Sequence, residues 1–88
     1  DGELTELAEV LHYDFHWLSK EIKKRTGKTY TELVQIKRLT QAAYLLRNTN
    51  KSVTDVALEV GYDNISYFYR IFQNRYGITP RQYRKDGE

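Results

Sequence analysis

Two stretches of this chain follow the same pattern about fifty residues apart, and that duplication constrains the fold more than any other feature. The later copy runs from Ser52 to Gly77, SVTDVALEVGYDNISYFYRIFQNRYG. Val53, Val56, Ala57 and Val60 recur at i, i+3, i+4 and i+7, which is one apolar stripe on a helix. Ser52 stands at the N-cap, with Asp55 at the third helical position, close to a capping box. Gly61 ends the stripe where a positive φ is easiest to place. Asp63 or Asn64 caps a second helix, in which Phe68, Ile71 and Phe72 point inward and Tyr69, Arg70 and Gln73 point out. Two short helices, a turn with glycine and a basic second helix make a helix-turn-helix, although an ordinary helical hairpin fits this one stretch equally well.

The earlier copy decides between them. Glu3 to Leu11 reads as an amphipathic helix with Leu4, Leu7, Ala8 and Leu11 on one face, and His12-Tyr13-Asp14 as the turn, with Asp14 the N-cap. Phe15 to Thr26 is the next helix, burying Leu18 and Ile22 and ending at Gly27. A shift of 49 residues lays Leu4 on Val53, Glu6 on Asp55, Leu7 on Val56, Ala8 on Ala57 and Tyr13-Asp14 on Tyr62-Asp63. One extra residue enters the second turn. A shift of 50 then lays Leu18 on Phe68, Lys20 on Arg70, Ile22 on Phe72, and Arg25, Gly27 and Thr29 on Arg75, Gly77 and Thr79. Two copies make a duplicated helix-turn-helix, not a solenoid.

Between the copies, Thr29 and Glu32 form a T-x-x-E capping box that opens a helix of about Thr31 to Arg47. Val34, Leu39, Ala42, Ala43, Leu45 and Leu46 give it apolar surface on more than one side, as a helix packed against both lobes needs. Asn48 to Lys51 is a polar loop. Thr79-Pro80-Arg81-Gln82 is another capping box, with proline at the first helical position, and starts a short last helix that folds Tyr83 back on the second lobe. No strand-like alternation, low-complexity tract or glycine-rich phosphate loop is present. The expected fold is all-α: residues 1–28 a first lobe with its recognition helix at about 15–26, 29–48 the connecting helix, and 49–88 a second lobe with its recognition helix at about 65–76.

Charge placement adds the partner. The net charge of the 88 residues is only +2, but acids crowd the first helix of each copy while bases follow in or after the second. Lys20, Lys23, Lys24, Arg25 and Lys28 form one cluster, and Arg70, Arg75, Arg81, Arg84 and Lys85 the other. A solvated helix face explains either cluster singly; both at equivalent places favour a shared polyanionic target. With no cysteine there is no disulfide framework, thiol nucleophile or zinc-thiolate site, which fits a reducing cytoplasm, the location expected here. No apolar run is long enough to span a bilayer. No nucleophile–base spacing supports an enzyme, and no cofactor is expected. His12 and His16, with Asp14 between them, are not expected to hold a metal, since His12 lies in the turn rather than on the helix and no further strong ligand stands near in sequence. A helical protein-interaction module without DNA readout accounts for the amphipathic helices but not for paired basic recognition helices.

Gly61-Tyr62, Ser66-Tyr67-Phe68-Tyr69-Arg70-Ile71-Phe72, Gly77-Ile78-Thr79-Pro80 with Tyr83-Arg84, and Arg38-Leu39…Ala42…Leu45-Leu46 together resemble the DNA-binding domain of AraC/XylS-type transcription regulators. The resemblance covers nearly the whole chain. It implies two homeodomain-like helix-turn-helix lobes joined by one long helix, with both recognition helices presented to one face of double-stranded DNA. Position by position, it implies base contacts from His16, Ser19 and Lys20 in the first lobe and from Ile65, Ser66, Tyr69 and Arg70 in the second. Lys24, Lys51 and Arg75 are candidate phosphate contacts.

Residue chemistry leaves several of these roles open. Arg70 suits a bidentate pair with guanine, with phosphate as the rival, whereas the single ammonium of Lys20 suits phosphate. His16 fits a base edge, a phosphate or plain exposure. Tyr69 and Ile65 fit a thymine methyl, with the sugar-phosphate as Tyr69's alternative. Trp17 is expected to be at least partly core, and Phe15 is open. The chain departs from the family's pattern in three places: a leading helix before Glu3 is absent, His12 stands where glycine is favoured, and Ile22 stands where phenylalanine is common. The expectation is a DNA-binding fragment of a longer regulator, with RNA polymerase as a further candidate partner and effector sensing and dimerisation in another domain.

Overall fold

Each helix begins where a short polar side chain can take up its first orphan N–H groups. The computed structural model describes residues 5, 6, 8, 9 and 14–87. Helix α1 spans Phe15–Thr26, α2 Tyr30–Asn48, α3 Val53–Glu59, α4 Ile65–Tyr76 and α5 Pro80–Asp86. All the regular structure among the described residues is helical. Residues 5, 6, 8 and 9 are also helical, and Ala8 is buried. The rest of the expected Glu3–Leu11 helix and the His12-Tyr13 turn lie outside the described residues.

The caps follow the sequence closely. Asp14 Oδ1 accepts from the Trp17 N–H at 3.1 Å, and Ser52 Oγ from Asp55 at 3.0 Å. Of the two candidates before α4, Asn64 is the cap, its Oδ1 accepting from Tyr67 at 3.0 Å. Thr29 Oγ accepts from Glu32 at 3.1 Å, and α2 reaches one residue further at each end than expected. At α5 the capping box is reciprocal: the Gln82 N–H donates to Thr79 Oγ at 3.2 Å and the Thr79 N–H to Gln82 Oε1 at 3.1 Å. Gly61 has φ 104°, as the turn after α3 requires.

The chain divides into two compact units, residues 1–36 and 37–88, with α2 running through the boundary. In the second unit Leu39 and Leu46 of α2, Val56 of α3, and Phe68 and Phe72 of α4 are all at most 1% exposed. Ala42, Ala43, Leu45, Ala57, Val60 and Ile71 complete this core. Phe72 is its hub, with ring centroids at 5.8 Å from Phe68, 4.5 Å from Tyr76 and 5.5 Å from Tyr83. The half-buried tyrosines keep a polar tip near the rim: Tyr76 donates its hydroxyl to the Leu39 carbonyl at 3.4 Å. Tyr83 does fold back on this core, and the Arg47 guanidinium lies 3.7 Å from its ring centroid.

The first unit differs. Helix α1 has no fully buried residue; Leu18 and Ile22, expected inside, are half-buried. Trp17, expected to be partly core, is instead 47% exposed. It lies along a shallow groove with Leu18, Glu21, Ile22, Arg25 and Thr26 of its own helix.

Candidate nucleic-acid interface

Helix α4 is amphipathic by construction of its sequence. With Phe68, Ile71 and Phe72 buried, Ser66, Arg70 and Gln73 fall on the opposite side at i, i+4 and i+7, and all three are exposed. Arg70 lies 5.2 Å from the Tyr67 ring centroid, close enough for the ring to favour one placement of the guanidinium. Ile65 and Tyr69, the other two expected base contacts, are half-buried and lean on the core. Tyr69 packs edge-on to Phe68 at 6.4 Å. Its ring therefore does not point out beside Arg70, because the sequence period alone does not distinguish a flank of the apolar stripe from its opposite side.

Helix α1 repeats this geometry. His16, Lys20 and Lys23 are exposed at the same spacing, followed by Lys24, while Phe15 and Ser19 are half-buried. The His16 ring meets Phe15 edge-on at 5.6 Å. Each unit thus brings three side chains onto one exposed stripe, and each stripe includes one residue missing from the sequence-based assignment, Lys23 and Gln73. Extending the His16–Lys20 and Ser66–Arg70 spacings by one more turn would have found both.

The basic residues around these helices do different jobs. Lys51 is paired with Glu59, Nζ to Oε1 at 2.9 Å. That hydrogen bond, and then the carboxylate's charge, raise the Lys51 amino group above its ordinary value. Arg75 is exposed, with its guanidinium 6.0 Å from the Tyr76 ring centroid. Arg84, counted by sequence among the bases facing a polyanion, is turned inward. Its Nε donates to the Leu46 carbonyl at 2.7 Å, and its Nη2 to the carbonyls of Thr49 at 3.4 Å and of Lys51. These are orphan carbonyls at the end of α2 and in the following loop, so a cation there completes the helix terminus. A backbone partner leaves no mark in a sequence, which is why the charge count misplaced it.

Exposed stripes that carry cations at matching positions of two repeated helices are the footprint of a nucleic-acid reader. A family model described as a helix-turn-helix domain matches residues 7–86. The chain belongs to the AraC-type helix-turn-helix family. It is 39% identical over 79 residues to the transcriptional activator RhaS of Mannheimia succiniciproducens, covering 90% of this chain and 30% of that protein. Among solved structures, the C-terminal domain of AraT, a response regulator from Geobacillus stearothermophilus, is 35% identical with a TM-score of 0.85, over 94% of this chain and 69% of that one. An AraC-type transcriptional regulator from Chromobacterium violaceum gives a TM-score of 0.89 at 25% identity, over 96% of this chain and 75% of that one. The chain spans about a third or less of the length of RhaS and of two further curated relatives that it matches. It is an AraC-type DNA-binding domain of the kind found in transcription regulators. Among the described residues no helix is long and apolar enough to cross a membrane, and no group of three His, Cys, Asp or Glu is placed to hold a metal ion.

Proposed function

We propose that the chain binds double-stranded DNA sequence-specifically, with α1 and α4 entering successive major-groove segments on one face of the duplex. The observation that carries this reading is the recurrence of one exposed stripe, His16–Lys20–Lys23 and Ser66–Arg70–Gln73, at matching positions of two repeated units. Arg70 reads a guanine through a bidentate pair, Ser66 and His16 approach neighbouring base edges, and Lys20 holds phosphate. Ile65 and Ser19 flank those contacts, and Lys24, Lys51 and Arg75 supply further backbone charge. Because the two stripes differ in chemistry, the site is two unlike subsites about 10 base pairs apart, one helical turn.

The experiment is a binding titration on duplexes carrying about 5 extra base pairs between the subsites, which turns one of them to the opposite face. Affinity should fall by the contribution of one unit. Equal affinity for both duplexes would mean that a single unit reads DNA and that the two-helix reading is wrong.

A further inference from the structure

Beside α4 the second unit holds a cleft of about 350 Å³ lined by Ser52, Val53, Thr54, Tyr69, Arg81 and Arg84. The residues come from the start of α3, the inward-leaning flank of α4 and the first turn of α5 with the residue one turn beyond it. Three hydroxyls and two guanidiniums line this cleft, and no carboxylate does. Such a lining accepts an anion. Arg84 already gives Nε and Nη2 to carbonyls, so it fixes the loop leading into Ser52 and adds an immobile positive charge. Arg81 is exposed and makes no ion pair or hydrogen bond among the described residues, and neither does the Tyr69 hydroxyl.

The first unit carries a cleft of about 360 Å³ whose lining includes Ser19, Lys20, Lys23 and Thr31. On the 50-residue shift, Ser19 corresponds to Tyr69 and Thr31 to Arg81. Both units therefore place a basic cleft between the flank of the second helix and the start of the helix that follows. Tyr69 is also the chain neighbour of Arg70, so this cleft opens next to the stripe assigned to the major groove, where the flanking strand brings its phosphates.

We propose that the cleft between α3, α4 and α5 seats one DNA phosphodiester, held by Arg81 and the Tyr69 hydroxyl, with Arg84 positioning its loop wall. The inference rests on the DNA-binding reading and takes, of the two roles open to Tyr69, the one at the backbone. It adds Arg81, which the sequence did not single out as a contact.

The test compares the 88-residue chain with Arg81→Gln, Arg81→Lys and Tyr69→Phe in salt titrations on specific and scrambled duplexes. Arg81→Gln should weaken both duplexes by the same factor and flatten the salt slope by about 0.9, one released counterion. Arg81→Lys should restore the slope, and Tyr69→Phe should weaken both duplexes at unchanged slope. A scan of single neutral methylphosphonate linkages should find one position that weakens the parent chain and not Arg81→Gln. An unchanged slope for Arg81→Gln, or a loss confined to one base pair, overturns the proposal. So does inorganic phosphate that shifts the Tyr69 resonances while the Arg81→Gln slope on DNA stays unchanged, since the cleft would then serve a free anion. A parent chain that binds no duplex at all would instead overturn the DNA-binding reading itself.

Discussion

The two copies of the repeat share the caps of the exposed helix and of the helix after it, Asp14 with Asn64 and Thr29 with Thr79, and they share the exposed stripe, but the rings behind that stripe differ. In the second copy Phe68, Phe72, Tyr76 and Tyr83 form a run of rings with neighbouring centroids 4.5 to 5.8 Å apart. At the same places on the 50-residue shift the first copy has Leu18, Ile22, Thr26 and Leu33. Four aromatic positions have become three aliphatics and a threonine. Helix α1 accordingly has no fully buried residue, whereas α4 has three. Caps and an apolar period are enough to set helix boundaries, but large interior rings are what anchor a recognition helix firmly. On the function proposed above, the guanidinium of the second unit, on a well-packed helix, does the directional base readout, and the lysines of the first, on a shallowly packed one, hold phosphate.

The strongest way to break that contrast is to cut the same position in both copies. Phe72→Ala removes the ring at the hub of the second core and should cost about 3–5 kcal/mol. Ile22→Ala, at the equivalent but half-buried place, should cost about 1–2 kcal/mol. Urea unfolding followed by circular dichroism gives both numbers. Equal losses would show that α1 is as firmly anchored as α4, and the division of labour would lose its physical basis.

The parts of this comparison legible in the sequence were those fixed by local chemistry. Asp14, Ser52 and Thr79 were identifiable as caps because a short side chain with an oxygen must stand there. Phe68, Ile71 and Phe72 were identifiable as core because their spacing is helical. Between Asp63 and Asn64 local chemistry gave no preference, and where the helix starts against the core settles on Asn64. Trp17, Tyr69 and Arg84 were misjudged for two different reasons. Trp17 and Tyr69 stand beside the apolar stripes of their own helices, where the period does not separate inward from outward, whereas Arg84 depends on carbonyls that another element offers at the end of α2. The first copy's own leading turn, with His12, lies outside the described residues and sharpens nothing here.

The turns offer a second, smaller test. Gly61 sits at φ 104°, and a Cβ added there would lie 3.2 Å from Arg38 Cζ. That guanidinium itself lies 5.7 Å from the Tyr62 ring centroid, so moving it aside disturbs a packed contact. Gly61→Val should cost about 1–3 kcal/mol through backbone strain alone. Gly77, at φ 80°, has open space where its Cβ would be, and Gly77→Asn should cost less than about 1 kcal/mol. Melting temperatures of the two variants decide the matter. If valine at 61 leaves the melting temperature unchanged, the second turn does not depend on a positive φ, and a side-chain-bearing residue such as His12 is no handicap to the first.

Readout can be compared in the same way. Arg70→Ala should lose about 1–3 kcal/mol of binding, concentrated on one base pair. Lys20→Ala, at the matching place in α1, should weaken specific and scrambled duplexes alike and flatten the salt slope by about 0.9. Binding to a panel of single-base-pair variants separates the two patterns. If Arg70→Ala gives the same fractional loss on every duplex, Arg70 touches phosphate, and the two recognition helices do not differ in kind.

The smallest effect concerns an ion pair that the first copy cannot make, since Gly2 and Val10 stand where the second has Lys51 and Glu59 on the 49-residue shift. Glu59 raises the Lys51 amino group above its ordinary 10.5, by the hydrogen bond first and the carboxylate's charge second. A raised basic group contributes stability that is fully present below its ordinary value and is lost as pH climbs through the raised one. Tyr62 acts in the same direction. Burial raises its phenol above 10.0 against the opposing charge of Arg38, so the neutral ring is favoured until strongly alkaline pH. The second unit should therefore keep constant stability from these two groups at neutral pH and lose it only above about pH 10. Glu59→Gln should remove the Lys51 part alone, bringing its titration midpoint down toward 10.5 while the melting temperature at neutral pH barely moves, because an exposed pair is screened by solvent. It should also strengthen duplex binding at low salt, since Lys51 no longer shares its charge with a carboxylate. An NMR titration of the Lys51 ε-methylene in both proteins reads the first effect directly. Identical midpoints would mean that the pair is not formed in solution, and the difference between the copies would shrink to their rings.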